Sequence, residues 1–185
     1  MRKVVHVTGT SGAGKSEMSR RLRALGYRTI STDGTDGLCG WVDVAGTPVW
    51  RPAHPSGEWL RVHRWVWDLD RLDEVLSAYP DGALFVCGNA ANDDDAADRF
   101  DVVVLLDIDE ATMIARVLDP ARGNDFGRRG EELAWLVEER QVTRERYLRR
   151  GAVAVDATAP LDDVAAAVVR ASSVQSGGCV ETDDA

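Results

Sequence analysis

Lysine is almost absent from this 185-residue sequence: Lys3 and Lys15 stand against twenty arginines. A chain that uses arginine nearly everywhere keeps lysine where a narrow stem and a compact charge are required, so Lys15 is the first residue to explain. Cysteine is scarce too. Cys39, Cys87 and Cys179 are odd in number, far apart and without metal-ligand spacing. They read as free thiols of a reducing, cytoplasmic compartment. No apolar run approaches the ~20 residues of a membrane span, and the N-terminus lacks a signal-peptide pattern, so no membrane partner is expected. A net charge of −9 and a pI of about 4.8 argue against nucleic acid, whose phosphates an acidic chain repels. The remaining composition, 44% hydrophobic and 29% charged, is that of an ordinary globular protein. Its length suits one well-cored domain, expected over residues 1–172, in a monomer or homodimer. Residues 173–185 have little to bury and are expected to form a flexible tail.

What surrounds Lys15 is specific. Residues 9–16, GTSGAGKS, fit the G-x-x-x-x-G-K-[ST] phosphate-binding loop. Gly9, Gly12 and Gly14 permit backbone angles that let successive N–H groups, including those of Thr10, Ser11 and Ala13, turn toward phosphate oxygens. The helix opening near Gly14 adds its positive end. Lys15 supplies a point charge for the outer phosphates, and the Ser16 hydroxyl suits Mg²⁺. The β-branched VVHV before the loop reads as a buried strand, with His6 a packed side chain within it. Met18, Leu22 and Leu25 after it recur at helical spacing.

Beyond the loop, strands and helices alternate. Strands are expected at 27–32, 83–88, 101–109 and 151–157, and helices at 67–79, 110–118, 131–150 and 160–171, with Pro160 opening the last. Such alternation predicts a parallel sheet covered by helices on both faces, with ligands at the C-terminal strand ends. Residues 34–66 lack helical periodicity. Residues 41–68 hold five of the six tryptophans; VDVAGTPVW suggests a hairpin turning at Ala45–Thr47. Trp faces there suit a flat or apolar acceptor, and Arg51, Arg61 or Arg64 an anionic group. Equally, these tryptophans, Trp65 and Trp67 above all, suit a small satellite core under the segment.

A gripped triphosphate can pass its phosphoryl group to water or to an acceptor. No guanine-reading N-K-x-D pattern exists, since no third lysine exists. Arg116, Arg122, Arg128 and Arg129 flank a short Gly/Asn loop, residues 119–131. That loop reads either as a solvated basic turn or as a lid that excludes water and brings guanidinium groups to the transferring phosphoryl. Asp33 ends the second strand, where it can prepare an acceptor hydroxyl or hold a Mg²⁺-bound water; Asp36 is the alternate, and a plain Asx turn the competing reading. Asn89, Asn92 and Asp93-Asp94-Asp95 follow the third strand near the ligand edge, where one of them could touch the acceptor; the favoured reading of this charge run is a solvated helix start.

GTSGAGKS, the STD of 31–33, the arginine-bearing NDFG loop and VAVDATAPLDDV together resemble a small P-loop kinase of the nucleoside-monophosphate-kinase and shikimate-kinase-like fold, over roughly residues 3–171. The resemblance implies a three-layer α/β domain with a five-stranded parallel sheet of order 2-3-1-4-5, and a lid over ATP and Mg²⁺. It implies that Arg116 lies against adenine, with Ala157-Thr158-Ala159-Pro160 on its other side. It further implies that Arg122, or its competitor Arg128, meets the γ-phosphate, and that Arg140 or Arg144 reaches phosphates. The region between strands two and three, 34–66, becomes the acceptor side. Two departures stand out. Nucleotide-phosphorylating relatives end strand three in Asp-Gly, where this chain has Cys87-Gly88. Shikimate kinases carry Asp-x-Asp and Gly-Gly-Gly, where this chain has Ser31-Thr32-Asp33 and Cys87-Gly88-Asn89. The expectation is an ATP- and Mg²⁺-dependent kinase with its own small hydroxylated acceptor, nucleosides and nucleotides among the candidates. The alternative is a P-loop ATPase or nucleotide switch with no small acceptor; phosphorylation of a nucleic-acid end is a weaker third.

Overall fold

A computed structural model of the chain describes residues 2–173. The β-branched run forms β1 (Arg2–Thr8), buried on both sides over Val4–Thr8, as a central parallel strand must be. The glycine-rich loop follows, then α1 (Lys15–Ala24), and β2 (Arg28–Ser31), which ends in a 3-10 turn, Thr32–Gly34. Next come β3 (Cys39–Val42), β4 (Pro48–Val49), α2 (Gly57–Val62) and β5 (Arg64–Trp67). The rest alternates: α3 (Leu69–Ser77), β6 (Gly82–Cys87), a 3-10 stretch Asp93–Arg99, β7 (Val102–Asp107), α4 (Glu110–Leu118), α5 (Gly130–Arg149), β8 (Val153–Asp156) and α6 (Leu161–Ser172).

Five strands form one parallel sheet in the order β2-β6-β1-β7-β8. Counted within this sheet alone, that is 2-3-1-4-5. Side-chain alternation assigns the two faces. Val5 and Val7 of β1 and Phe85 of β6 join Met18, Leu22, Met113, Val117, Val164 and Val168 on one face, under α1, α4 and α6. Val4, Leu84 and Val86 join Leu72 and Leu76 of α3 on the other. The result is three layers, helix, sheet, helix, each core side chain contributing about 1.5–3 kcal/mol by burial.

Residues 34–66, where no helical period was legible, build a second, antiparallel sheet of order β4-β3-β5 with α2 beside it. The expected hairpin is present. Trp41 pairs with Val49 and Val42 with Pro48, and the Asp43 carboxylate closes the turn by accepting from the Ala45 and Thr47 amides, both at 2.9 Å. Period-2 alternation puts Cys39, Trp41, Trp65 and Trp67 on one face of this sheet. Trp67 departs from the expected satellite core: it is buried in the second face of the main sheet, edge-on to His6 at 5.2 Å. His6 is a packed side chain, as read, stacked on Phe100 at 4.7 Å with Nε2 3.0 Å from the Gly88 carbonyl. Burial holds its pKa down to about 4, so the neutral ring donates Nε2–H to that carbonyl.

The acidic run after β6 also departs from its reading as a solvated helix start. Asp93 is only 2% exposed; it accepts from the Tyr147 hydroxyl and faces Arg146 and Arg150, each at 3.4 Å. Thr8 in turn donates to Tyr147 at 2.9 Å. Asn92 pins the insert by bonding both backbone groups of Trp67, at 2.8 and 2.9 Å. The sequence pattern missed both because their partners lie 25 and 54 residues away. Of the proposed tail only Ser173 falls among the described residues; 174–185 lie outside them. No helix among the described residues is long and apolar enough to cross a membrane.

Candidate active site

The loop after β1 arrives at the C-terminal edge of the parallel sheet, between β6 and β7. Gly9 is required by packing, because a Cβ there would sit 2.7 Å from the Leu106 carbonyl oxygen and 2.9 Å from Ala13 Cβ. Gly14 is required by conformation: it caps α1 with φ 95°, in the left-handed region that a side chain rarely adopts. Lys15 folds over the loop, donating to the Gly9 carbonyl at 2.7 Å and the Thr10 carbonyl at 2.9 Å. Burial pushes its pKa down to about 8; the Asp33 carboxylate opposes that shift and the Arg122 guanidinium adds to it. Asp33 and Arg122, from two other segments, therefore each act electrostatically on Lys15.

Asp33 is exposed in the turn after β2. Its position depends on a residue that sequence reading treated only as a departure. Thr32 is fully buried against Gly88, where any Cβ would fall 1.8 Å from Thr32 Oγ1. Glycine at 88 thus lets the Asp33 turn close on the end of β6. The neighbouring Cys87, standing where a carboxylate was expected, is buried with its thiol pushed up to about 12; it stays neutral and replaces no carboxylate charge. Asp36 is exposed, with its carbonyl accepting from Arg71 at 3.3 Å.

The lid arginines separate by contact. Arg122 donates to the Phe126 carbonyl at 2.8 Å. Arg128 spans the carbonyls of Asp119 (2.7 Å), Pro120 and Arg122, holding the loop's own backbone. Arg116 bridges the two loops flanking the expected base site, 3.5 Å from the Gly12 carbonyl and 2.9 Å from that of Ala157. Thr158 bonds Asp156 through its amide and hydroxyl, and Pro160 caps α6. Arg140 and Arg144 are engaged at the end of β7, by the Ile108 carbonyl at 2.9 Å and by both Asp107 oxygens at 2.8 and 3.0 Å.

Ser16 lies in the first turn of α1 and is exposed. Among the described residues no group of three His, Cys, Asp or Glu side chains is arranged to hold a metal. A serine hydroxyl, with the Asp33 charge reaching the adjacent Lys15, fits Mg²⁺, which keeps most of its shell as water and phosphate oxygen. Facing the lid stands an aromatic wall. Trp41 lies 5.0 Å from Trp59, 5.7 Å from Trp65 and 6.1 Å from Phe126, which meets Trp135 at 6.1 Å.

No protein-family model matches the chain, nor does any curated protein. Among solved structures it is similar to deoxyadenosine kinase from M. mycoides with bound dATP, at 15% identity over 91% of this chain and 97% of that one, with a TM-score of 0.52. It is likewise similar to TT1252 from Thermus thermophilus, at 18% identity over 91% of this chain and 95% of that one, with a TM-score of 0.56. The chain has the small P-loop kinase fold, without a clean match to one specific family.

Proposed function

We propose that the protein is an ATP- and Mg²⁺-dependent phosphotransferase acting on a small hydroxylated metabolite. The observation that carries this reading is the glycine loop capped by Gly14 at the start of α1, with Lys15 folded on the Gly9 and Thr10 carbonyls at 2.7 and 2.9 Å and the Asp33 and Arg122 charges reaching it. The loop amides of residues 9–16 and Lys15 hold the β- and γ-phosphates. Arg116 and the 157–160 loop flank the base. Asp33 orients the acceptor hydroxyl and takes its proton as the acceptor oxygen bonds to Pγ and the bond from Pγ to the β,γ-bridging oxygen breaks, releasing ADP. Arg122 stabilises charge spread over the transferring group. Ser16 and Asp33 would hold Mg²⁺, directly or through water, which when bound neutralises phosphate charge. The half-buried Trp41, Trp59 and Trp65 suit a ring-bearing acceptor such as a nucleoside or nucleotide. The free thiols of Cys39 and Cys87 accord with a reducing, cytoplasmic setting.

An ADP-release screen over nucleosides, nucleotides, sugars and cyclic hydroxy acids tests the reading. The expected result is slow release with MgATP alone and a gain of at least ~100-fold with the right acceptor. Hydrolysis that no acceptor accelerates would instead identify an ATPase or switch.

A further inference from the structure

We propose that Arg51, between β4 and α2, is a positioning residue that fixes the lid backbone holding Arg122 toward the phosphate loop. The proposal rests on the phosphotransferase reading above. Arg51 lies more than 70 residues from the lid in sequence, yet its fork spans it: Nη1 donates to Glu132 and Nη2 to Asp125, both at 3.0 Å. Its guanidinium also lies 5.6 Å from the centre of the Phe126 ring. Glu132, 3% exposed, uses its second oxygen to accept the Gly127 amide at 3.1 Å. Residues 125, 126 and 127 are therefore each tied, directly or through Glu132, to one arginine of the insert. The middle one, Phe126, offers the carbonyl that Arg122 grips at 2.8 Å.

This backbone has little freedom to settle elsewhere. Gly127 has φ +89°, and a Cβ on it would meet Leu136 Cδ1 at 2.3 Å and Val117 Cγ1 at 2.9 Å. Arg128 fixes the far side of the loop through the Asp119, Pro120 and Arg122 carbonyls. Two further contacts join insert to lid, from the Gly57 amide to Glu131 at 2.6 Å and between His54 and Arg129. A buried carboxylate is stable here because the Arg51 guanidinium and the Gly127 amide satisfy it. Without Arg51, the buried Glu132 loses its counter-charge, and Asp125 and Phe126 lose their direct ties to the insert. Because the insert also carries the Trp41 wall, acceptor seating and the γ-phosphate contact share one frame.

Calorimetric titration with Mg²⁺ and either ADP or β,γ-imido-ATP separates positioning from folding. Arg51→Ala is expected to weaken the imido-ATP affinity about tenfold, the scale of one charge-assisted contact to the third phosphate, and to leave ADP within about twofold. Arg122→Ala should do the same, and the double variant should fall no further than Arg122→Ala alone. Arg51→Lys should lie between, since an ammonium cannot bridge both carboxylates as a fork does. Glu132→Gln keeps the shape and carries the test if Arg51→Ala fails to fold. Equal loss for both nucleotides, additive losses in the double variant, or an unchanged preference for the triphosphate overturns the proposal. Wild-type protein that binds neither nucleotide overturns the phosphotransferase reading itself.

Discussion

In the phosphate loop, Lys15 is held by carbonyls five and six residues away. In the lid, Arg122 grips a neighbouring carbonyl, but the backbone bearing that carbonyl is tied to Arg51. The charge of Arg122 reaches Lys15, and each region holds a cation. One does so with local backbone geometry, the other with side chains gathered from distant segments. Local geometry survives a point change elsewhere, whereas a gathered arrangement transmits it. The two regions should therefore respond differently to mutation: changes in the loop should alter chemistry with little effect on folding, and changes in the gathered frame should alter both.

Replacing Lys15 is the largest test. Lys15→Ala is expected to lower turnover on the order of a thousandfold, and Lys15→Arg comparably, since a planar guanidinium is not a compact ammonium. The melting temperature should stay within about 2 °C, because a half-buried side chain bonded only to its own loop supports little else. Near-normal turnover in either variant would show that the loop does not do the chemistry.

Gly88→Ala comes next, and it moves the comparison to the frame. A methyl 1.8 Å from Thr32 Oγ1 must displace the buried Thr32 and with it Asp33. Overpacking there should cost about 1–3 kcal/mol in denaturant unfolding. Turnover should drop by roughly 10- to 100-fold from misplacement alone, with ADP affinity nearly unchanged. A variant with wild-type kinetics would remove Asp33 from the mechanism.

The smallest effect is set by pH. With its pKa depressed to about 8, free Lys15 loses its proton above that pH, while a bound polyphosphate holds the proton on. MgATP affinity should be flat below pH 8 and fall about tenfold per unit above it, with proton uptake on binding measurable by calorimetry in two buffers. The folding term has the opposite sign. Between pH 8 and 10.5 the unfolded chain binds the proton more tightly than the folded one, so this group's contribution to stability rises with pH as affinity falls. An affinity independent of pH up to 10 would place the ammonium outside the phosphate site.

Most of the main sheet was legible because its signals are local. VVHV, the glycine loop and the 3.6-residue period of α1 each specify themselves within about ten residues. Boundaries moved by a few positions: the strand read at 27–32 ends at Ser31, and Trp67, read as the start of a helix, ends β5. The insert was less legible, because three short strands and a six-residue helix give too few repeats for a period to show. Asp93 illustrates the remaining difficulty. In sequence it belongs to a run of three acids, and only Arg146 and Tyr147 on α5 and Arg150 just after it turn it into a buried anchor.

By itself the sequence determined the phosphate loop, the parallel α/β order and the residues at the sheet's ligand edge, since glycine placement and side-chain period act through the nearest few peptide units. Only the tertiary structure decided that Arg122 grips the Phe126 carbonyl while Arg128 holds the Asp119, Pro120 and Arg122 carbonyls, how Gly88 admits the Asp33 turn, and that Arg51 ties the insert to the lid. The last two outcomes depend on the packing of segments more than 50 residues apart, where a side chain's role is set by what the fold brings against it.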